Sequence, residues 1–207
     1  MAPKITLHYF DAPGRAEPIR WILAYGAGED WTDHRIERAE WPAIKATTPF
    51  GSVPYIEVDG KPLGQSIAIM RYLAKQYGLV GQDAWENAQV DAMADYITDA
   101  SAGYSVYTRA RIGNDEAGMK KAAEEYTGTT IKPFLAMFER ILQDNKSGQD
   151  FLIGNKPTWA DILLTILMDR AVQLQTDLLQ PYPLLQAHTH RIHNLKGIKE
   201  WIQKHPM

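Results

Sequence analysis

Hydrophobic and polar positions alternate in two different ways along the 207 residues of the chain. Up to about residue 78 the period changes every ten residues or so. KITLHYF alternates, with Ile5, Leu7 and Tyr9 on one side, and predicts a short strand. DAPG interrupts it as a turn. RAEPIRWILAYGAG then repeats at helical spacing, placing Ala16, Ile19, Ile22 and Leu23 on one face. Pro18 suits the first turn of that helix, and Gly26 or Gly28 its end. WTDHRIE predicts a second strand, EWPAIKATTPF an irregular or single-turn segment, and VPYIEV a third strand. Asp59-Gly60 is a strong hairpin signal, with a return strand over roughly 61–63. Ser66 is expected to cap a helix whose apolar face holds Ile67, Met70, Leu73 and Tyr77.

From about Ala84 onward strand character fades and long helical periods take over, beginning with WENAQVDAMADYITDASAGYSVYTRA and recurring in EAGMKKAAEEYTGTTIKPFLAMFERILQD and TWADILLTILMDRAVQL. Thr158 followed three positions later by Asp161 resembles a capping box with Asp in place of Glu. The expected fold class is therefore α/β plus all-α. A thioredoxin-like domain with a mixed four-stranded sheet over residues 1–79 precedes an all-helical domain over 84–207, with GLVGQDAWE as the linker.

Composition narrows the chemistry. Hydrophobic residues make up 45% and charged residues 23%, which excludes disorder along the whole chain. A net charge of −3 with scattered basic residues gives no electrostatic footprint for nucleic acid. There is no cysteine, so disulfides, thiolate metal sites and a cysteine nucleophile are excluded. A thioredoxin-type sheet without a CxxC must meet any thiol on a substrate. No apolar run reaches the ~18–20 residues of a membrane span, and MAPKITLHYF does not read as a secretory signal, so a cytoplasmic protein is expected. The HTHRIH tract, with His188, His190 and His193, reads as a solvated helix face, and no metal site is expected.

Five stretches in register, HYFDAPGRAEPIRW, EWPAIKATTPFGSVPYIEVDG, QSIAIMRYLAKQYGL, AWENAQVDAM and IGNKPTWADI, resemble a sigma-class glutathione transferase. The resemblance covers essentially the whole chain. It implies a cytosolic homodimer that binds glutathione as co-substrate, holds no covalently bound cofactor, and conjugates the thiol to small hydrophobic electrophiles. Some reduction of organic hydroperoxides is compatible with it.

The resemblance also assigns residues. Tyr9 matches the family's catalytic tyrosine, whose phenol donates to the glutathione sulfur. Arg15 matches an arginine near that sulfur, and Trp41 and Lys45 match contacts to the glycyl end. Val53 and Pro54 match a cis peptide bond that turns the Val53 backbone toward the cysteinyl part, with Ser52 beside it. Gln65 and Ser66 match the groups that take the γ-glutamyl carboxylate at a helix N-terminus. Asp99 matches an aspartate reaching the γ-glutamyl ammonium across the dimer interface. Ala12, Gly14, Ser101, Val106, Leu163 and Leu167 match the wall of the electrophile pocket.

Two alternatives stand beside conjugation. One is a prostaglandin-H2 D-isomerase using glutathione, disfavoured by Thr98 and Val106, where that relative carries an aspartate and a tryptophan. The other is a non-enzymatic, S-crystallin-like structural protein, disfavoured by the short connection RIGNDEAG where crystallins carry a long insertion.

Overall fold

The computed structural model describes residues 3–206, which divide into two compact units. The first runs to Leu79 and also includes the stretch from His193 onward; the second spans Val80–Ile192. The C-terminal segment, read from the sequence as part of the helical domain, thus groups with the sheet.

In the first unit, β1 (Ile5–Phe10) pairs in parallel with β2 (Trp31–Ile36) and antiparallel with β3 (Tyr55–Val58), which pairs antiparallel with β4 (Lys61–Gly64). The order β2-β1-β3-β4 is the mixed four-stranded sheet expected. Helix α1 (Glu17–Gly26) makes the crossover that a parallel pair requires. Alternation in β1 buries Ile5 and Leu7, and Leu7 stands opposite Ile56 of β3. These residues meet Ile19, Ile22 and Leu23 of α1 and Ile69 and Leu73 of α3 (Ser66–Tyr77) in one core. Asp59 and Gly60 both take positive φ, 50° and 79°, as a two-residue hairpin of the primed type demands.

The face of α3 differs slightly from the prediction. Ile69, Met70, Leu73 and Ala74 are buried, whereas Ile67 and Tyr77 are half-buried. A single-turn helix, α2 (Trp41–Ile44), fills the irregular stretch between β2 and β3.

The second unit contains α4 (Ala84–Ala100), α5 (Ala102–Ile112), α6 (Glu116–Glu125), α7 (Lys132–Asp144) and α8 (Trp159–Leu174), followed by α9 (Pro183–His193), whose last residue already counts with the first unit. A short helix α10 (Ile198–Lys204) lies wholly in the returning segment. The run read as one long helical period breaks at Ser101. There the hydroxyls of Thr98 and Ser101 donate to the carbonyls of Ala94 and Ile97, both at 2.9 Å, and such back-bonding bends helices. Helix α8 buries ten of its residues, including Ile162, Leu164, Ile166 and Met168, as a helix at the centre of a core must.

The Thr158–Asp161 capping box is present. Asp161 is buried and accepts from the Leu152 N–H, the Thr158 N–H and the Thr158 hydroxyl, each at 2.8 Å. His188 Nε2 lies 2.8 Å from the same carboxylate, and the ring has no exposed surface. The solvated-face reading therefore fails for His188, because the carboxylate that draws it inward lies 27 positions earlier.

Candidate active site

Tyr9 sits near the end of β1, where the strand leaves the sheet for the loop that leads into α1. Its hydroxyl oxygen accepts the peptide N–H of Arg15 at 3.1 Å. Gly14 makes this approach possible: a Cβ there would lie 2.4 Å from the Tyr9 oxygen, and its φ of +40° favours glycine. One lone pair of the phenol is thus occupied by a backbone donor.

The loop is held by buried charge. Arg20 of α1 has no exposed surface. Its Nη1 donates to the carbonyls of Ala12 (2.8 Å) and Pro13 (3.3 Å) and to Glu17 (3.1 Å). Its Nε donates to Asp33 of β2 at 3.1 Å. The guanidinium carbon stands 5.9 Å from the centre of the Tyr9 ring. Glu17 is also buried, and it accepts the indole N–H groups of Trp21 (3.1 Å) and Trp201 (2.8 Å). Arg35 bonds both Asp33 and Asp11, each at 2.7 Å. Desolvating Arg20 and Glu17 is tolerable only because each has several partners. Sequence reading missed this network, though Glu17 and Arg20 at i, i+3 beside Trp21 in an apolar helix were a visible signal.

A second set of residues forms a rim on the same unit. The Val53–Pro54 bond is cis, as the resemblance implies. Val53 makes no backbone hydrogen bond among the described residues, since the ladder of β3 begins at Tyr55. Lys45, exposed, brings its Cε within 4.0 Å of where a Gly51 Cβ would stand, next to half-buried Ser52. Pro49 and Phe50 pack on Gly64, immediately before Gln65. Trp41 meets Phe10 edge to face at 5.4 Å, and Phe10 in turn meets the Tyr9 ring at 5.6 Å.

Gln65 is exposed and holds φ 73°, ψ 112°, a costly backbone state for a residue with a side chain. It is the residue flanking α3, and Ser66 is the first helical residue. The capping role expected of Ser66 is therefore corrected: no side chain caps this end, and its first N–H groups are left for another acceptor.

Ala12 and Gly14 belong to the first unit's loop. Asp99 (exposed), Ser101 (half-buried), Val106 (exposed) and Leu163 (half-buried) belong to the second unit. Leu167 is 1% exposed, and a pocket wall at this position would first have to be uncovered. No group of three or more His, Cys, Asp or Glu side chains among the described residues is arranged to hold a metal ion.

His8, the residue before Tyr9 on the opposite sheet face, pairs Nδ1 to Nδ1 with His34 at 2.8 Å and stacks on Tyr55 at 4.3 Å. Its Nε2 lies 3.3 Å from Glu57. Burial lowers the His8 pKa, partly offset by Glu57.

Residues 5–75 match the glutathione S-transferase N-terminal domain, and residues 104–205 match a glutathione S-transferase C-terminal domain. The chain belongs to the glutathione S-transferase family. It is 36% identical over 204 residues to glutathione S-transferase 1 of Ascaris suum, covering 99% of this chain and 98% of the relative. It is 38% identical over 204 residues to the hematopoietic prostaglandin D synthase of Gallus gallus, with the same coverage. The crystal structure of the glutathione S-transferase from Ascaris lumbricoides superposes with a TM-score of 0.89 at 36% identity, covering 99% of this chain and 98% of that one. The family's thioredoxin-like sheet and following helical domain are those described above.

Proposed function

We propose that this glutathione S-transferase binds glutathione on the first unit and transfers its thiolate sulfur to small hydrophobic electrophiles, with Tyr9 donating its phenolic proton to the sulfur. The observation that carries the reading is the Arg15 N–H on the Tyr9 oxygen, closed in by Gly14. It fixes the phenol and leaves the proton as the group to offer.

A thiol resembling free cysteine has a pKa of ~8.5, so only a few per cent is thiolate at neutral pH. A charge-assisted hydrogen bond to the sulfur favours the thiolate, which is the nucleophile. The thiol proton passes to water as the thiolate forms. Attack then makes the carbon–sulfur bond: in a substitution the leaving group departs with its bonding pair, and in an addition to an activated double bond the negative charge stays on the electrophile until a proton from solvent neutralises it.

The remaining contacts follow the rim. Val53 pairs through its backbone with the cysteinyl residue, as an added strand would. Gln65, Ser66 and the free N–H groups of α3 receive the γ-glutamyl carboxylate. Trp41 and Lys45 take the glycyl carboxylate, Ser52 flanks it, and Arg15 adds positive charge near the sulfur. Asp99 supplies the γ-glutamyl ammonium contact from a second copy in a homodimer. Of the residues matched to the electrophile pocket, Ala12 and Gly14 belong to the first unit and Ser101, Val106, Leu163 and Leu167 to the second. No described helix is long and apolar enough to cross a membrane, in keeping with action in the cytoplasm. Connecting α5 to α6 through residues 113–115 alone leaves no room for a crystallin-type insertion.

The test is the ultraviolet thiolate absorbance of bound glutathione in wild type and in Tyr9→Phe, across pH. Wild type should show a thiolate titrating well below the free value, moving back up in the variant. Conjugation at neutral pH should fall at least ~10-fold in Tyr9→Phe and recover toward wild type at high pH. No bound thiolate in wild type would sink the transferase reading.

A further inference from the structure

Arg20 faces more acceptors than one of its nitrogens can serve. Nη1 carries two hydrogens, yet three oxygens lie within bonding distance of it: the carbonyls of Ala12 (2.8 Å) and Pro13 (3.3 Å) and Oε2 of Glu17 (3.1 Å). Nη2, also buried, has no hydrogen-bond partner among the described residues. The Nη1 hydrogens are therefore shared. What the loop carbonyls receive depends on how strongly Glu17 draws on the same nitrogen.

Glu17 is buried and can only accept. Its other oxygen, Oε1, takes the indole N–H of Trp21 at 3.1 Å and that of Trp201 at 2.8 Å. Trp21 stands one turn further along α1 and is fixed with it. Trp201 comes from α10, in the returning segment. Its ring stands 5.4 Å from that of Trp31, and His205 stacks on it at 3.9 Å, so packing holds the N–H in place. A carboxylate served by two indoles makes less demand on the guanidinium. Deprived of Trp201, the buried charge turns to Arg20 and draws Nη1 away from Ala12 and Pro13. Those two residues lead directly into Gly14 and Arg15, whose N–H holds the Tyr9 oxygen.

We infer that Trp201 is a positioning residue for the transferase reaction. By satisfying Glu17, its N–H leaves Arg20 to hold the Ala12 and Pro13 carbonyls, and so keeps the Arg15 N–H on the Tyr9 phenol. The inference rests on the role proposed above for Tyr9.

Two substitutions separate the donor from the ring. Trp201→Phe keeps an aromatic ring beside Trp31 and removes the N–H. Trp201→His gives up the larger ring but presents an Nε2–H where the indole carried its own. A merely structural role makes histidine the worse replacement; the donor role makes it phenylalanine.

Both variants are measured as whole protein, at a temperature below the unfolding range of each. In Trp201→Phe, kcat for conjugation at neutral pH should fall about fivefold or more, with KM for glutathione changed by less than about twofold. In Trp201→His, kcat should stay within about twofold of wild type. The titration of bound thiolate should move up in Trp201→Phe alone. The Arg15 amide resonance, read by heteronuclear NMR without glutathione, should shift clearly in Trp201→Phe and far less in Trp201→His. Trp201→Tyr, which also lacks a donor at that point, replaces Trp201→Phe if the latter does not fold. Wild-type kcat in Trp201→Phe, an equal loss in Trp201→His, or an unmoved Arg15 resonance would overturn the inference. A Tyr9→Phe protein as active as wild type would instead sink the role of Tyr9, and the Arg15 resonance still decides whether Trp201 acts on this loop.

Discussion

The peptide N–H of Arg15 donates to the hydroxyl oxygen of Tyr9 at 3.1 Å. A backbone donor cannot rotate away or change charge, so it sets the phenol's orientation more firmly than a side chain would. The relationship depends on Gly14, and this dependence is the easiest part of the site to test.

Gly14→Ala puts a methyl group 2.4 Å from the Tyr9 oxygen at a φ of +40°. The ring or the loop must shift. Conjugation should fall by about tenfold or more, because misplacement of a catalytic group is costly. Far-ultraviolet circular dichroism should remain that of wild type, and steady-state kinetics would show the loss mainly in kcat.

Arg20→Lys keeps the charge but cannot reach Asp33, Glu17 and two loop carbonyls together. With Glu17 left buried and short of a partner, the protein should lose about 3 kcal/mol of stability. Urea unfolding measures that loss. Kinetics on the folded variant should show a lower kcat, because the Ala12–Pro13 carbonyls are no longer pinned.

Asp161→Ala strips acceptors from the Leu152 and Thr158 N–H groups and the partner from His188. All are buried, so destabilisation of about 3–5 kcal/mol is expected, read from a shift of the urea midpoint.

Acid should weaken the fold through His8. Its pKa in the folded protein is below the 6.5 of a free imidazole, because burial disfavours the charged ring. The unfolded chain therefore binds the proton more readily. Stability from this group is complete above about pH 6.5 and declines as pH falls from there toward the lowered folded value. His8→Phe keeps an aromatic ring against Tyr55 and removes the titration. Unfolding free energies measured from pH 7.5 to 5 should fall less steeply in the variant.

Much of the fold was legible because its signals are local. Ile5 and Leu7 mark a strand by alternation, Asp59-Gly60 marks a hairpin by its turn residues, and Thr158 with Asp161 marks a helix start by spacing. The whole-chain family resemblance supplied the positions of Tyr9, Val53–Pro54 and Gln65. What stayed hidden depends on pairs distant in sequence or on backbone states that side chains do not announce. His188 is buried by Asp161, and the loop beside Tyr9 is pinned by Arg20 with Asp33 on another strand. Gln65 takes a positive φ that its residue type gives no reason to expect, which displaced the cap from Ser66. The break at Ser101 comes from two hydroxyls that look unremarkable in a helical period.

The return of residues from His193 onward to the first unit has a consequence for biosynthesis. The buried carboxylate of Glu17 takes one of its donors from Trp201, 184 positions later. A nascent chain that has already formed the sheet must hold Glu17 without that partner while the whole second unit emerges from the ribosome. Completion of the scaffold behind Tyr9 thus waits until Trp201 has been made. A chain interrupted after α9 would carry every proposed glutathione contact, yet lack the indole that donates to Glu17.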